Sequence, residues 1–198
     1  MANRKSPSYY DVKLLRHGLA ARTESMLLPR GTGHMEDADT RFTDPGDTVY
    51  TLLAEAVWVE CPRCAQRATH KPIEGGAPGG VFAPRRLVCA GCSLAREWQK
   101  TSLQSNWRQS PARDDYFNAV LWLRESLGRN ELWAYNPRHL DLIEQFVAAK
   151  HRQRTRDNVL GWANRRFTSR LPAWIKAAKN RQDILKTIER IRVKRMSA

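Results

Sequence analysis

The sequence predicts an α+β protein: an N-terminal arm (1–49), a small antiparallel sheet domain organised around four cysteines (50–135), and a basic α-helical segment (136–198). Three observations carry this reading. The chain's four cysteines fall as two Cys-x-x-Cys pairs. Short β-prone runs flank both pairs. From Asn136 onward apolar residues recur at helical spacing, with Lys and Arg filling the positions between.

Of the 198 residues, 41% are hydrophobic and 27% charged. That is enough apolar material for one domain with a core, and too much for a globally disordered chain. No apolar run approaches the roughly 20 residues that span a bilayer. The basic start, Met1 to Tyr10, is not followed by the apolar stretch of a secretory signal. A cytoplasmic protein is expected.

Residues 1–50 carry little periodicity. Val12 to Ala21 suits a strand or a helix, while 31–40 and 44–47 are loop-like. This arm is expected to be poorly packed or to wrap the domain.

The first strand is expected over Glu55–Glu60, where Ala56, Trp58 and Glu60 alternate with Glu55, Val57 and Val59. It leads into Cys61-Pro-Arg-Cys64. Residues 65–72 form a second strand, the Gly-rich stretch 75–80 a loop, 85–88 a third strand leading into Cys89-Ala-Gly-Cys92, and 96–101 a fourth. Each Cys-x-x-Cys wraps a tight turn whose two sulfurs converge on one point, and two such pairs supply the four thiolates of a tetrahedral metal site. Cys61, Cys64, Cys89 and Cys92 are therefore the candidate metal ligands, for one structural Zn. An iron–sulfur cluster takes the same four thiolates, so spacing alone leaves iron open. Two disulfides suit a secreted chain, and a redox Cys-x-x-Cys needs only one pair. Pro62 and Gly91 suit the turns, backbone N–H groups are expected on the thiolates, and Arg63, Arg67, Arg85 and Arg86 lie near enough in sequence to offset the site's negative charge.

Strand, knuckle, strand, loop, strand, knuckle, strand over residues 55–101 resembles the zinc-ribbon class. The resemblance implies a small antiparallel sheet held by metal. It does not fix function, since such ribbons occur in transcription, replication and ribosomal proteins. Leu121–Leu123 and Leu132–Ala134 read as a hairpin around Gly128, with Trp122 and Trp133 facing each other as core residues. This stretch with the helix after it also looks like uncharacterised bacterial zinc-ribbon proteins that carry a cysteine pair in the hairpin. Ser126 and Leu127 stand there instead, so any role of that pair is not carried over.

Asn136-Pro137 opens a helix, Asn as its cap and Pro in its first turn. Leu140, Ile143, Phe146 and Val147 form its apolar stripe, expected against the hairpin. A short helix over 159–167, a second over 169–179 with Ser169 as cap and Pro172 in its first turn, and a third starting with a capping box at Asn180–Asp183 follow. Ile184, Leu185, Ile188 and Ile191 mark the last helix's buried face. The last two are arranged as in a helix-turn-helix, a pattern any helical hairpin shares.

The net charge of +14 is concentrated: residues 150–198 hold 15 of the 34 Lys and Arg but three of the 20 acids, a net +12. Such a gradient costs self-repulsion unless an anionic surface offsets it, and nucleic acid is the polyanion at hand. The expected function is nucleic-acid binding, to DNA or RNA, mainly through phosphate contacts. The candidate residues are Arg165, Arg166, Arg170, Lys176, Lys179, Arg181, Arg190, Lys194 and Arg195, whose heads are left free if the apolar stripes do the packing. Trp107 or Trp162 could add base stacking. The alternative is a zinc-ribbon adaptor whose basic tail docks on an acidic protein partner.

No catalytic constellation stands out. Arg16-His17-Gly18 matches the Arg-His-Gly tripeptide of histidine phosphatases, but His34, His70, His139 and His151 do not provide that family's second-histidine context. His34, Asp37 and Asp39 sit in a hydrophilic loop. No P-loop, Gly-x-Ser-x-Gly or His-Glu-x-x-His occurs.

Overall fold

The structure is a computed structural model that describes residues 41–73, 82–99, 112–153 and 166–196. Most of the N-terminal arm, the Gly-rich loop, the end of the fourth expected strand and all but the last two residues of the helix expected over 159–167 lie outside the described residues. So do Trp107, Trp162, Arg165 and the Arg-His-Gly tripeptide.

Two short elements open the described chain: strand β1 (Arg41–Thr43) and helix α1 (Val49–Ala54). Thr48 caps α1. Its hydroxyl accepts from Thr51 N, and Thr51 Oγ1 in turn accepts from Thr48 N, a capping box with Thr in the usual Glu place. Leu52 and Leu53 are buried, so α1 packs into the core.

Strands β2 (Val57–Glu60), β3 (Arg67–Pro72), β4 (Arg85–Val88) and β5 (Ala95–Trp98) form one antiparallel sheet in that order. Alternation sets its faces. Val57, Val59, Ala68, His70, Arg85, Leu87 and Trp98 point to the core side and are buried. Both cysteine turns, β2–β3 and β4–β5, therefore close the same end of the sheet.

The free edge of β2 is covered. Glu60 N donates to Val120 O (2.7 Å), Trp122 N to Trp58 O (2.9 Å), and Trp58 N to Tyr135 O (2.8 Å). Those partners flank the hairpin of β6 (Leu123–Leu127) and β7 (Asn130–Ala134). Leu127 pairs with Asn130, leaving Gly128 and Arg129 as a two-residue loop, with Gly128 at φ +59°. The expected facing of Trp122 and Trp133 does not occur. The register sets Arg124 opposite Trp133, and Trp122 lies one residue before the strand.

Helix α2 (Pro137–Ala148) begins as its sequence demands: Asn136 Oδ1 accepts from His139 N (2.9 Å), and Pro137 occupies the first turn. Its stripe of Leu140, Ile143, Phe146 and Val147 is buried, joined by Leu142 and His139. Strand β8 (His151–Gln153) follows and pairs in parallel with β1. Phe42 packs edge-on to Phe146 with ring centroids 5.6 Å apart.

The single helix expected over 169–179 is broken in two: α3 (Phe167–Arg170) and α4 (Ala173–Lys176). Leu171 and Pro172 take extended dihedrals between them. Pro172 caps α4 from outside rather than sitting in its first turn, because the residue before a proline is driven from the helical region. A 3-10 turn over Ala178–Asn180 leads into α5 (Arg181–Ile191). No capping box forms there. Asn180 is itself helical, and its side chain donates to Trp174 O (2.8 Å). Ile184, Ile188 and Ile191 are fully buried and Leu185 partly. The core runs without a break from the sheet through the hairpin to α2 and α5. No helix among the described residues is long and apolar enough to cross a membrane.

Candidate metal centre

The four cysteines meet at the closed end of the sheet. Their sulfurs all lie within 4.8 Å of one another. Cys61 Sγ is 3.6 Å from Cys92 Sγ, and Cys64 Sγ is 3.6 Å from Cys89 Sγ. These separations far exceed a disulfide bond of about 2.05 Å. They match the edge of about 3.8 Å that a tetrahedron with metal–sulfur arms of about 2.3 Å requires. The four residues can hold one metal ion.

The two turns are built alike. Cys61 N donates to Gln66 O (2.8 Å), and Cys89 N donates to Leu94 O (2.9 Å). The residue after each second cysteine is left-handed: Ala65 at φ +57° and Ser93 at φ +56°. This repeated geometry folds each sulfur pair back toward the other knuckle. Gln66 joins the two, since its side chain lies where a Cβ on Gly91 would stand, with Oε1 only 1.8 Å from that point. A side chain at 91 would have to displace the end of Gln66.

The expected backbone support is present in the first turn, where Arg63 N donates to Cys61 Sγ (3.4 Å). Burial works to raise the Cys61 thiol. The amides of Arg63 and Cys64 and the sulfurs of Cys92 and Cys89 outweigh it and lower the pKa to about 6. For Cys64 the Gln66 amide favours the thiolate, but burial and the three other sulfurs push it up to about 12. Without a cation, then, one sulfur takes charge at another's expense. A bound dication removes that conflict.

Of the four arginines expected to offset the thiolates, three are engaged elsewhere. Arg86 pairs with Glu97 across β4 and β5 (2.6 Å), and Arg67 lies over the Trp58 ring (4.6 Å). Arg85 is buried. Its Nε donates to His70 Nδ1 (3.0 Å), its Nη2 donates to Glu55 O (3.2 Å), and its guanidinium stands over Tyr116 (4.4 Å). Arg63 alone has no ion pair or ring partner among the described residues.

Sequence reasoning missed the cluster around Arg85. His70 Nε2 stands 3.3 Å from Asp114 Oδ1, off the line of a good hydrogen bond. Asp114 accepts from Tyr116 N, Phe117 N and Ala119 N at 2.7–2.9 Å. Burial lowers the His70 pKa against the pull of Asp114. Burial alone would raise Asp114, but His70 and the amides hold it below the ordinary carboxylate range. The network ties β3, β4 and the 112–122 segment together under the metal-bearing sheet.

The basic residues picked as phosphate contacts fare unequally. Arg166 pairs with Asp44 (3.3 Å). Lys176 donates to Ser169 O (2.9 Å), Arg181 to Ala149 O (3.1 Å), and Arg190 to Thr187 Oγ1 (2.8 Å). Lys194 binds both oxygens of Glu125 (3.0 Å), and Arg195 lies over Trp122. Their heads are not free as the stripes alone suggested, because acids and carbonyls distant in sequence reach them. Arg170, Lys179 and the unchosen Lys186 are exposed and form no ion pair with a described residue, and Arg190 is also exposed. Compared with protein-family models, with curated proteins and with solved structures, the chain matches none.

Proposed function

We propose that this chain is a nucleic-acid-binding protein. One structural zinc ion on Cys61, Cys64, Cys89 and Cys92 holds a zinc-ribbon sheet, and the basic C-terminal segment contacts phosphate. The observation that carries the reading is the charge asymmetry, a net +12 over residues 150–198 of a chain whose total is +14. Counterion release makes binding of such a segment to a polyanion favourable with no base reading. The exposed Arg170, Lys179, Lys186 and Arg190 are its best-placed heads. Arg190 would give up only its bond to the Thr187 hydroxyl, whereas Arg166, Lys176, Arg181, Lys194 and Arg195 would have to leave an acid, a carbonyl or a ring first. Zinc suits four thiolates at tetrahedral spacing with no catalytic opening.

The test is fluorescence anisotropy of labelled DNA and RNA oligonucleotides against the full chain over a salt series. Affinity should fall linearly in log–log form, each phosphate contact adding roughly 0.7–0.9 to the slope. Replacing Arg170, Lys179, Lys186 and Arg190 by Gln should shrink the slope by about 3 units for every sequence alike. No binding at low salt overturns the reading.

A further inference from the structure

We infer that the aromatic cavity between β7, the start of α2 and the α3–α4 pair is a seat for one unstacked base of a single-stranded nucleic acid, with Arg170 on the adjoining phosphate. The inference rests on the nucleic-acid reading above and deepens it from phosphate contact to a defined pocket.

The cavity has room for about 80 Å³ and is partly open to solvent. That is well below the roughly 300–1,000 Å³ of sites that enclose a whole ligand, so a base would insert one ring edge and leave the rest outside, against a lining that is mostly apolar. One wall is a chain of rings. Trp133 meets Tyr135 edge-on (5.2 Å), Tyr135 stacks on His139 (5.3 Å, 25° between planes), and His139 meets Phe167 edge-on (5.9 Å). Trp174 lines it from α4. Trp133 and Trp174 remain half-buried although each packs against the core. The break at Leu171–Pro172 separates α4 from α3, and both residues line the cavity.

Polar groups narrow the occupant. His139 is 94% buried and its pKa is lowered by that burial, so the ring is neutral. Its Nδ1 accepts from Tyr135 N (3.2 Å), so its proton sits on Nε2, for which no partner occurs among the described residues. The ring thus retains one donor, suited to a base carbonyl or ring nitrogen. Charge at the mouth is positive on balance. The Glu131 carboxylate is already met by Arg124 (3.3 Å), while Arg170 is exposed without an ion pair among the described residues. A cation in an aromatic cage would face Arg170 and be repelled. A planar ring joined to a phosphate matches aromatic wall, donor and arginine together.

The experiment titrates the full chain with a single-stranded 10-mer, the same sequence as a duplex, and free AMP and UMP. Anisotropy and tryptophan fluorescence are the readouts. Single strand and free nucleotide should quench the fluorescence, and the duplex should not. Trp174→Leu and Trp133→Leu should each weaken single-strand binding by about ten-fold with the log-salt slope unchanged, while duplex binding stays put. Arg170→Gln should shrink the single-strand slope by about 0.7. Trp174 lies on the four-residue helix α4, apart from β7, so its variant guards against a folding defect in β7, and circular dichroism checks both. Salt-dependent binding of single strand and duplex alike, untouched by either tryptophan variant, overturns the base seat and leaves phosphate binding standing. No binding of polymer or nucleotide at low salt overturns both.

Discussion

Arg195 and Trp122 hold the end of the described chain to the start of the hairpin. The indole Nε1 donates to Arg195 O (2.7 Å), and the same residue's guanidinium stands 4.9 Å from the indole centroid. The backbone that makes this possible is a π-turn over Arg192–Met196 continuing α5, with Arg192 on Asp141 (2.7 Å) and Glu144 (2.5 Å) of α2. Trp122→Phe keeps the buried ring but deletes the donor. Urea unfolding should show a loss of about 1–2 kcal/mol, the worth of one such hydrogen bond and a weakened cation–π contact. An unchanged midpoint would mean that this clasp contributes nothing.

Gly128 offers a cleaner measure of backbone conformation. It sits at φ +59°, and a Cβ built there meets nothing within 4 Å. Gly128→Ala therefore costs only what a left-handed alanine costs, about 1 kcal/mol. Gly128→Asn should cost visibly less, because Asn tolerates that region. Equal losses for the two would place the cost in packing rather than in the turn.

The metal centre was legible because a Cys-x-x-Cys turn is local. Six residues decide where both sulfurs go, and no distant contact is needed. The hairpin at Gly128 and the Asn136-Pro137 helix start were legible for the same reason. What escaped is long-range. Nothing near Phe42 announces a parallel pairing with residues 151–153, and nothing near Arg85 announces His70 and Asp114. The distant partners of several basic heads escaped in the same way. Asp44 meets Arg166, and Glu125 meets Lys194, across more than 60 residues of chain. The 169–179 segment misled because Pro172 suits a first turn by propensity, while its clash with the preceding residue forced a break instead.

Metal removal tests the centre directly. Purified protein should carry about one zinc per chain and be colourless, whereas an iron centre would absorb in the visible. A strong chelator should lower the unfolding midpoint, and Cys61→Ser should lower metal content and stability together. Release should grow as pH falls, because protons compete for the thiolates. Stoichiometric metal in a chain with all four cysteines replaced by Ser would place the ion elsewhere.

Acid should destabilise the fold through His139 as well. Burial lowers its folded pKa to about 3. An unfolded histidine titrates near 6.5. Between those values the unfolded chain binds a proton that the folded chain refuses, so stability falls as pH drops through that window and is fully present above it. His139→Gln removes this proton while leaving an acceptor for Tyr135 N. The variant should be less stable at pH 7, having lost the stack on Tyr135. Its further loss between pH 7 and pH 4.5 should nevertheless be smaller than the parent's, by about 1–3 kcal/mol. Measuring both chains at each pH by urea unfolding cancels the acid sensitivity they share, from His70, Asp114 and the thiolates. Parallel stability curves for the two would show that His139 takes up its proton without unfolding the protein.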